Sequence, residues 1–333
     1  MKIKLKIGCL LLAAAVCMAL PAFGAPDPGA KTAEGDRIPV IFDTDICDDI
    51  DDVFALLCCV FHPKLDLKAV TVVHADVMSK ARYVRKVLDM AGARDVPVGV
   101  GKSISRDRIL RNQYHPHTDA GTGYDRFADD MPIGSYPGAL EVMKQVLDAS
   151  NEPVAVVCVG AMTNSAELAV EYPGLSRKVK GFFVMGGEPL YQHPEHNVMC
   201  DPEASEVVFN CGVPVFDAPY TPAAKLVLGK ERVREVFGDM KDPVHRIIRE
   251  SMALWWGEDP ILYDLAPVFY LTDPELFDVR PCALHTELEG RLTRGFTVAD
   301  YNAPVKNCLV ADGLREEAIL DKCVALLGQA KSR

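Results

Sequence analysis

The feature that most constrains this chain is an apolar, strand-like run that ends in a cluster of acidic residues. Residues 40–57 read VIFDTDICDDIDDVFALL and hold six aspartates: Asp43, Asp45, Asp48, Asp49, Asp51 and Asp52. Residues 38–42 have the pattern of a buried strand, and residues 53–60 form an apolar run that can open a helix. The aspartates therefore occupy a strand-to-helix turn, which is where open α/β sheets bind ligands.

So many carboxylates in one turn predict a bound cation. Neighbouring ionised carboxylates repel one another unless a proton, solvent or a metal ion relieves them. Asp43 and Asp45 alternate along the strand exit and share a side, whereas Asp51 and Asp52 lie near a helix N-terminus, which favours anions. Helix capping explains two aspartates but not the D-x-D that precedes them. Hard oxygen ligands indicate Ca²⁺ or Mg²⁺ rather than zinc.

The N-terminus predicts export. Three lysines within the first six residues precede an apolar run at 7–20 and the small-residue site Ala22-Phe23-Gly24, a pattern typical of a signal peptide covering residues 1–24. Its removal lowers the basic residues from 36 to 33 against 47 acidic ones, a formal net charge of −14. That charge disfavours nucleic acid as a partner. The apolar run is short for a bilayer span, so we expect no stable membrane anchor and a periplasmic or extracellular protein.

Downstream of a Pro/Gly-rich linker at 25–36, β-branched runs alternate with amphipathic stretches. The expected strands are 38–43, 67–73, 96–99, 153–159, 180–185 and 213–217, and the expected helices are 51–62, 77–92, 137–149, 163–171, 202–210 and 313–328. Residues 220–272 look helical, and 284–311 return to strand-like sequence. This alternation predicts one α/β domain over 37–329, with a mostly parallel, Rossmann-like open sheet flanked by helices. The cysteines lie mostly in apolar runs, which predicts buried free thiols.

Four further sequence blocks point to a family. They read VGAMTN at 159–164, VMGG at 184–187, EHNVMCDPEA at 195–204 and YDLAPVFYLTDPELF at 263–277. Together with the aspartate turn they make the chain resemble the inosine/uridine-preferring nucleoside hydrolases, whose signature is a strand followed by D-x-D-P-G-x-D-D and a helix. The resemblance implies Ca²⁺ at the strand ends, which holds the ribose diol and a water that attacks the anomeric carbon. It implies hydrolysis of the N-glycosidic bond of a ribonucleoside or related ribosyl compound.

The resemblance also implies a role for each matching residue. Asp45 would be the general base and a metal contact, and Asp51 would bind a ribose hydroxyl. Asp52, the backbone carbonyl of Val159 and Asp264 would be further metal ligands. A carboxylate beside a divalent cation can orient a water and accept its proton, and surrounding carboxylates can stabilise an oxocarbenium-like sugar. The residue chemistry therefore agrees with the implied reaction.

Further substrate contacts are implied at three residues of the downstream blocks. Met185 matches the methionine under the sugar, and Glu195 and Asn197 match the family's E-F-N element. Asp43 is expected only to brace the turn. Because the loop from 187 to 195 is short, the asparagine that reaches the sugar's primary hydroxyl has no match, and Gln192 and His193 are its candidate substitutes.

Several departures bear on the substrate. Five residues rather than three separate Asp45 from Asp51, so the turn is longer and makes Asp48 and Asp49 candidate site residues. Asp76 stands near the position of a Gly-Asn pair and is expected to take over a diol contact. Tyr263 replaces the histidine of purine-preferring members, and it is expected either to donate a proton to the leaving group or to stack on it.

Two other functions stay open from the sequence. One is a non-catalytic ribosyl-ligand binding protein that keeps the metal cage, and the other is a haloacid-dehalogenase-type phosphatase, although Cys47 stands where that family has Thr or Val. A His115-x-His117 pair with Asp119 lacks a close third zinc ligand, so an exposed loop over the strand ends is expected there. Trp255 and Trp256 can stack on a base or pack in the core. A homo-oligomer is compatible with the sequence.

Overall fold

The computed structural model describes residues 37–103, 124–191, 193–238, 241–255 and 257–332. Within these ranges nine strands form one sheet in the order β3-β2-β1-β4-β5-β6-β9-β7-β8. The strands are β1 (Ile38–Thr44), β2 (Leu65–Val72), β3 (Val98–Val100), β4 (Val154–Cys158), β5 (Val179–Met185), β6 (Val215–Ala218), β7 (Phe277–Thr286), β8 (Thr297–Asp300) and β9 (Cys308–Leu314).

Helices cover both faces of this sheet. They are α1 (Asp51–Phe61), α2 (Val77–Ala91), α3 (Ala139–Ala149), α4 (Thr163–Glu171), α5 (Leu175–Lys178), α6 (His196–Cys200), α7 (Pro202–Asn210), α8 (Tyr220–Ala223), α9 (Lys230–Phe237), α10 (Pro243–Leu254), α11 (Leu265–Thr272) and α12 (Glu316–Gln329). Short 3-10 turns cover Tyr124–Ala128 and Pro274–Leu276. The signal peptide, the linker, His115, His117, Asp119, Gln192 and Trp256 lie outside the described residues.

The order of the strands creates a crevice at the carboxyl end of β1. The chain runs outward from β1 through β2 to β3 and then returns to β4 on the other side, and all these neighbours are parallel. The helices that leave β1 and β4 therefore diverge, which opens a ligand crevice at this switch point. The strands stay parallel as far as β9, whereas β7 and β8 are antiparallel. The expected mostly parallel, open α/β sheet is confirmed.

Alternation along β1 divides the core into two layers. Val40 and Phe42 pack into the cluster that contains α1, whereas Ile41 faces the cluster on the opposite side of the sheet. α1 is buried from Asp51 to Val60, because its sequence is apolar on almost every side. The helix therefore holds the carboxylates of its first turn in a fixed position.

The C-terminal boundary differs from the expected one. Pairing of β9 with β7 extends to Leu314 opposite Phe277, so the last helix begins at Glu316 rather than at 313. No disulfide joins any two of the nine cysteines within the described ranges, and eight of the nine are buried, as their apolar surroundings predict. Among the described residues, no helix has the length and apolarity needed to cross a membrane.

Candidate active site

The turn between β1 and α1 is held by a tyrosine from a distant segment. Cys47 adopts a left-handed backbone conformation with φ of 78°, which non-glycine residues rarely do. The Tyr124 hydroxyl accepts a hydrogen bond from the Cys47 backbone N–H at 2.6 Å and donates one to the Asp49 carbonyl. Because Tyr124 is fully buried, the longer turn is a fixed part of the structure. Tyr124 directly follows a long polar segment with no periodic pattern, so the sequence did not predict this role for it.

Three buried carboxylates converge where this turn meets α11. Asp51, Asp52 and Asp264 place oxygen atoms within 4.8 Å of one another, and each is at most 4% exposed. The Asp264 backbone N–H donates to Asp51 at 3.3 Å, and the Thr44 hydroxyl donates to Asp52. Burial, and then repulsion from neighbouring aspartates, raises the pKa of all three carboxyls well above the ordinary value.

This acid cluster has the chemistry of a site for a hard divalent cation. Its side-chain donors are all carboxylate oxygens, which Ca²⁺ and Mg²⁺ prefer. The sequence placed Asp52 and Asp264 among the metal ligands and Asp51 on a ribose hydroxyl, and the structure brings all three together. A positive charge here would offset the repulsion that raises their pKa values.

Asp45 lies beside this cluster on the neighbouring wall of the crevice. Its side chain is 4% exposed, and its Oδ2 lies 3.7 Å from His196 Nε2. Its repulsion contributes to the raised pKa of Asp52 and Asp264, which places it within electrostatic reach of the acid cluster. Burial raises the pKa of Asp45 itself, against the positive charge of Lys80. Asp45 groups most closely with Asp48 and His196.

A buried lysine supplies a positive charge that the sequence motifs did not reveal. Lys80 is 2% exposed, and its Nζ donates to the Asp45 carbonyl at 2.6 Å and lies 2.8 Å from Asp48 Oδ1. These carboxylates raise the pKa of Lys80 although its burial lowers it. The signal was present in α2, where Lys80 interrupts an apolar stripe that includes Val77, Ala81 and Val84.

Asp43 ties three elements together below the site. Its Oδ1 accepts hydrogen bonds from Thr71 at 2.7 Å and Asn164 at 2.8 Å, and its Oδ2 accepts one from Ser165 at 3.1 Å. Burial raises the pKa of Asp43 to about 6, although these three donors lower it. The contacts join β1 to β2 and α4, which is the work of a bracing residue.

Glu195 and Asn197 hold the start of α6 against the chain at the ends of β4 and β5. The Glu195 carboxylate accepts backbone N–H bonds from Gly187, Asn197 and Val198 at 2.8 to 3.0 Å, so it caps α6, and burial raises its pKa to about 7. The Asn197 amide donates to the carbonyls of Val159 and Met185, both at 3.0 Å. The Val159 carbonyl keeps a second lone pair for another partner. These contacts make Glu195 and Asn197 structural supports.

Asp76, which is expected to contact the ribose diol, lies at the start of α2. It is exposed, and it caps α2 by accepting from the Ser79 N–H at 3.1 Å and the Ser79 hydroxyl at 2.8 Å. The side chain near this position that reaches the crevice is His74, which is fully buried and lies 3.7 Å from Asp48. An aspartate three residues before a serine at the start of a helix is typical of an N-cap, so the sequence could have predicted the hydrogen bonds from Ser79 to Asp76.

Aromatic side chains lie at the outer end of the crevice. The rings of Tyr220 and Tyr263 stack with centroids 5.6 Å apart, and His193 stacks on Tyr220 at 5.8 Å. Burial, and then Tyr220, raises the pKa of the Tyr263 phenol far above its ordinary value, so Tyr263 stays protonated. It can donate a hydrogen bond but is a weak acid. Trp255 packs in the core.

Comparisons with known proteins agree with this arrangement. A family model described as inosine-uridine preferring nucleoside hydrolase matches residues 40–321. The pyrimidine-specific ribonucleoside hydrolase RihA of Citrobacter koseri is 32% identical over 285 residues, covering 79% of this chain and 88% of that protein. The non-specific ribonucleoside hydrolase RihC of Klebsiella pneumoniae is 28% identical over 273 residues, with the same two coverages.

Solved structures share the fold at lower sequence identity. A plant nucleoside hydrolase, PpNRh1, superposes with a TM-score of 0.74 at 20% identity, covering 88% of this chain and 99% of that one. A purine-preferring ribonucleoside hydrolase from Gardnerella vaginalis gives a TM-score of 0.72 at 21% identity, covering 87% and 98%. The overall fold of the chain is therefore shared with these proteins.

Proposed function

Because this chain belongs to the inosine-uridine preferring nucleoside hydrolase family, we propose that it cleaves the N-glycosidic bond of ribonucleosides with the help of Ca²⁺. The observation that carries this proposal is the meeting of Asp51, Asp52 and Asp264 at the carboxyl end of β1, beside Asp45. Residues 1–24 support the further proposal that the enzyme acts outside the cytoplasm.

Asp51, Asp52 and Asp264 would hold the ion, with the Val159 carbonyl as a further oxygen ligand. When bound, the cation supplies positive charge that lowers the pKa of a water and orients the sugar hydroxyls. Asp45, on the neighbouring wall, would accept the proton of the attacking water, and its buried position with a raised pKa suits a general base. The same buried carboxylates would stabilise positive charge as it develops on the sugar.

The leaving base would lie toward the stacked aromatic rings. The ring of Tyr263 offers a face for a purine or pyrimidine, and its protonated hydroxyl can donate a hydrogen bond to the departing base. The ribose would rest beside Met185 and Asn197, which are joined by a hydrogen bond. In this arrangement Asp45 would activate the water, and Tyr263 would bind the base.

A second candidate function is binding of a ribosyl ligand without turnover. The raised pKa of Tyr263 favours it, because a phenol that ionises with difficulty is a poor proton donor to a leaving base. The family comparisons do not support the phosphatase interpretation.

The test is release of free base from uridine, cytidine, inosine and adenosine, followed by chromatography. We expect hydrolysis of at least one nucleoside, loss of activity with a chelator and recovery with Ca²⁺. Asp45→Asn should lower kcat by about 10²- to 10⁴-fold. Asp66→Asn removes a carboxylate paired with Lys68 near the surface and serves as the matched control. Saturable binding of nucleosides with no base released would establish the second function instead.

A further inference from the structure

A second cluster of ligand-type side chains lies next to Asp45. The imidazole nitrogens of His74 and His196 and the thiol of Cys200 all lie within 4.8 Å of one another. The Cys200 sulfur is 3.5 Å from His196 Nε2 and 4.0 Å from His74 Nε2. These groups come from two places in the fold, the carboxyl end of β2 and the helix α6, which meet at this edge of the sheet.

A carboxylate approaches the same cluster from the β1–α1 turn. Asp48 Oδ2 lies 3.7 Å from His74 Nε2, while its other oxygen lies 2.8 Å from Lys80 Nζ. Asp48 also groups with His196 and Asp45. Asp48, in the lengthened turn, therefore places one oxygen near His74 and the other near Lys80.

We propose that His74, His196, Cys200 and Asp48 form a binding site for a transition-metal ion of the zinc type, separate from the acid cluster. A tetrahedral zinc ion has bonds of about 2.3 Å to sulfur and about 2.0 to 2.1 Å to nitrogen, which sets neighbouring ligand atoms roughly 3.3 to 3.7 Å apart. The Cys200 sulfur lies 3.5 Å from His196 and 4.0 Å from His74, and Asp48 lies 3.7 Å from His74, which is close to these values.

The donor sets of the two sites select different ions. The acid cluster offers only carboxylate oxygens, which suit Ca²⁺ or Mg²⁺. A thiolate and two imidazoles are softer ligands and favour zinc or cobalt over calcium. One crevice would therefore hold a hard cation and a borderline cation on neighbouring walls.

The local backbone holds these donors in place. His74 is fully buried and has φ of 67°, followed by Ala75 at 50°, so two consecutive non-glycine residues are left-handed where the imidazole enters the cluster. His196 and Cys200 are four residues apart on α6 and so share one helical face. Lys80 contacts Asp48 Oδ1 and so orients this carboxylate. Residues that contact a metal ligand but not the metal commonly orient the ligand in this way. A bound ion would tie the β1–α1 turn, β2 and α6 together within reach of Asp45.

The experiment titrates the purified protein with Co²⁺ while excess Ca²⁺ occupies the acid cluster. Cobalt bound by a thiolate gives a charge-transfer band in the near ultraviolet, and tetrahedral cobalt gives strong visible bands. We expect one Co²⁺ per chain with both features, and displacement of Co²⁺ by Zn²⁺. Cys200→Ser should abolish the thiolate band, whereas Cys211→Ser, which alters a half-buried thiol elsewhere, should preserve it.

Two further variants keep the test independent of folding and of the proposed function. His196→Gln, at a partly exposed ring, should keep the thiolate band while weakening Zn²⁺ binding by about tenfold or more. Asp264→Asn should leave the band unchanged even if nucleoside hydrolysis is lost or never observed. The proposal is overturned if Co²⁺ does not bind saturably, binds without a thiolate band, or keeps that band in Cys200→Ser.

Discussion

Gly160 lies against Asp45 in the β1–α1 turn, and replacing it with alanine probes the proposed role of Asp45. A Cβ atom at Gly160 would lie 2.6 Å from the Asp45 backbone nitrogen, 2.9 Å from its Cβ and 3.0 Å from its Cγ. The nearest atom is backbone, and the turn is anchored by Lys80 and Tyr124. The strain therefore cannot be relieved by a side-chain rotation alone.

The size of the effect follows from these distances. Ordinary contact begins at 3.4 Å, so the turn must move by about 0.8 Å from its 2.6 Å approach. Overpacking of this kind costs about 1–3 kcal/mol of the free energy of unfolding. A displacement of about 1 Å in a catalytic group can lower kcat by about 10²-fold. Gly160→Ala should thus reduce activity far more than its stability loss explains.

The assay is kcat for the best nucleoside substrate, measured beside chemical denaturation of the same samples. Gly138→Ala is the matched control, because no atom lies within 4 Å of its added Cβ and Gly138 directly precedes α3. The control should keep wild-type kcat and lose at most about 1 kcal/mol, since glycine caps a helix only somewhat better than alanine. Wild-type kcat in Gly160→Ala would refute the placement of Asp45 against β4.

Three further predictions concern charges around the site. Lys80→Met should lower the free energy of unfolding by about 3–5 kcal/mol, because it removes the lysine that pairs with the buried Asp48 carboxylate. Adding Asp48→Asn to Lys80→Met should recover much of that loss, which a double-mutant cycle of chemical denaturation would measure. Asp217 is fully buried, and its carboxyl oxygens have no hydrogen-bond partner among the described residues. Burial raises the pKa of this carboxyl well above 3.8, so its contribution to stability falls as pH rises. Asp217→Asn should therefore melt at a higher temperature than wild type at pH 7, and the difference should shrink toward pH 4. Asp76→Ala should lower the free energy of unfolding by about 1 kcal/mol, because the hydrogen bond from the Ser79 N–H to the capping carboxylate is lost, and KM should stay unchanged. A raised KM would instead support the predicted contact of Asp76 with the ribose diol.

Local pattern was enough to predict the sheet and the turn. The strand ending at Thr44 and the helix opening at Asp51 follow from an apolar run, a polar turn and a second apolar run, each confined to neighbouring residues. The family resemblance then added Asp264, which lies more than 200 residues downstream and has no local signal of its own. Together these predicted most of the acid cluster.

The second cluster could not be predicted in this way. His74 and Cys200 meet across 126 residues of sequence, and only the order of the strands brings β2 and α6 together. Tyr124 likewise reaches the turn from a segment with no periodic pattern. Lys80 was also missed, although a lysine inside an apolar helical stripe by itself indicates a buried anionic partner.

The proposed function requires that nucleoside hydrolysis depend on the acid cluster. Its most direct test is to quantify free base and free ribose from the same phosphate-free reaction, with Ca²⁺ present, after chelation, and in Asp264→Asn. We expect equal amounts of base and reducing sugar with Ca²⁺, and a loss of both in the other two samples. Nucleoside that stays intact with Ca²⁺ present, or base release that is unchanged in Asp264→Asn and after chelation, would contradict it.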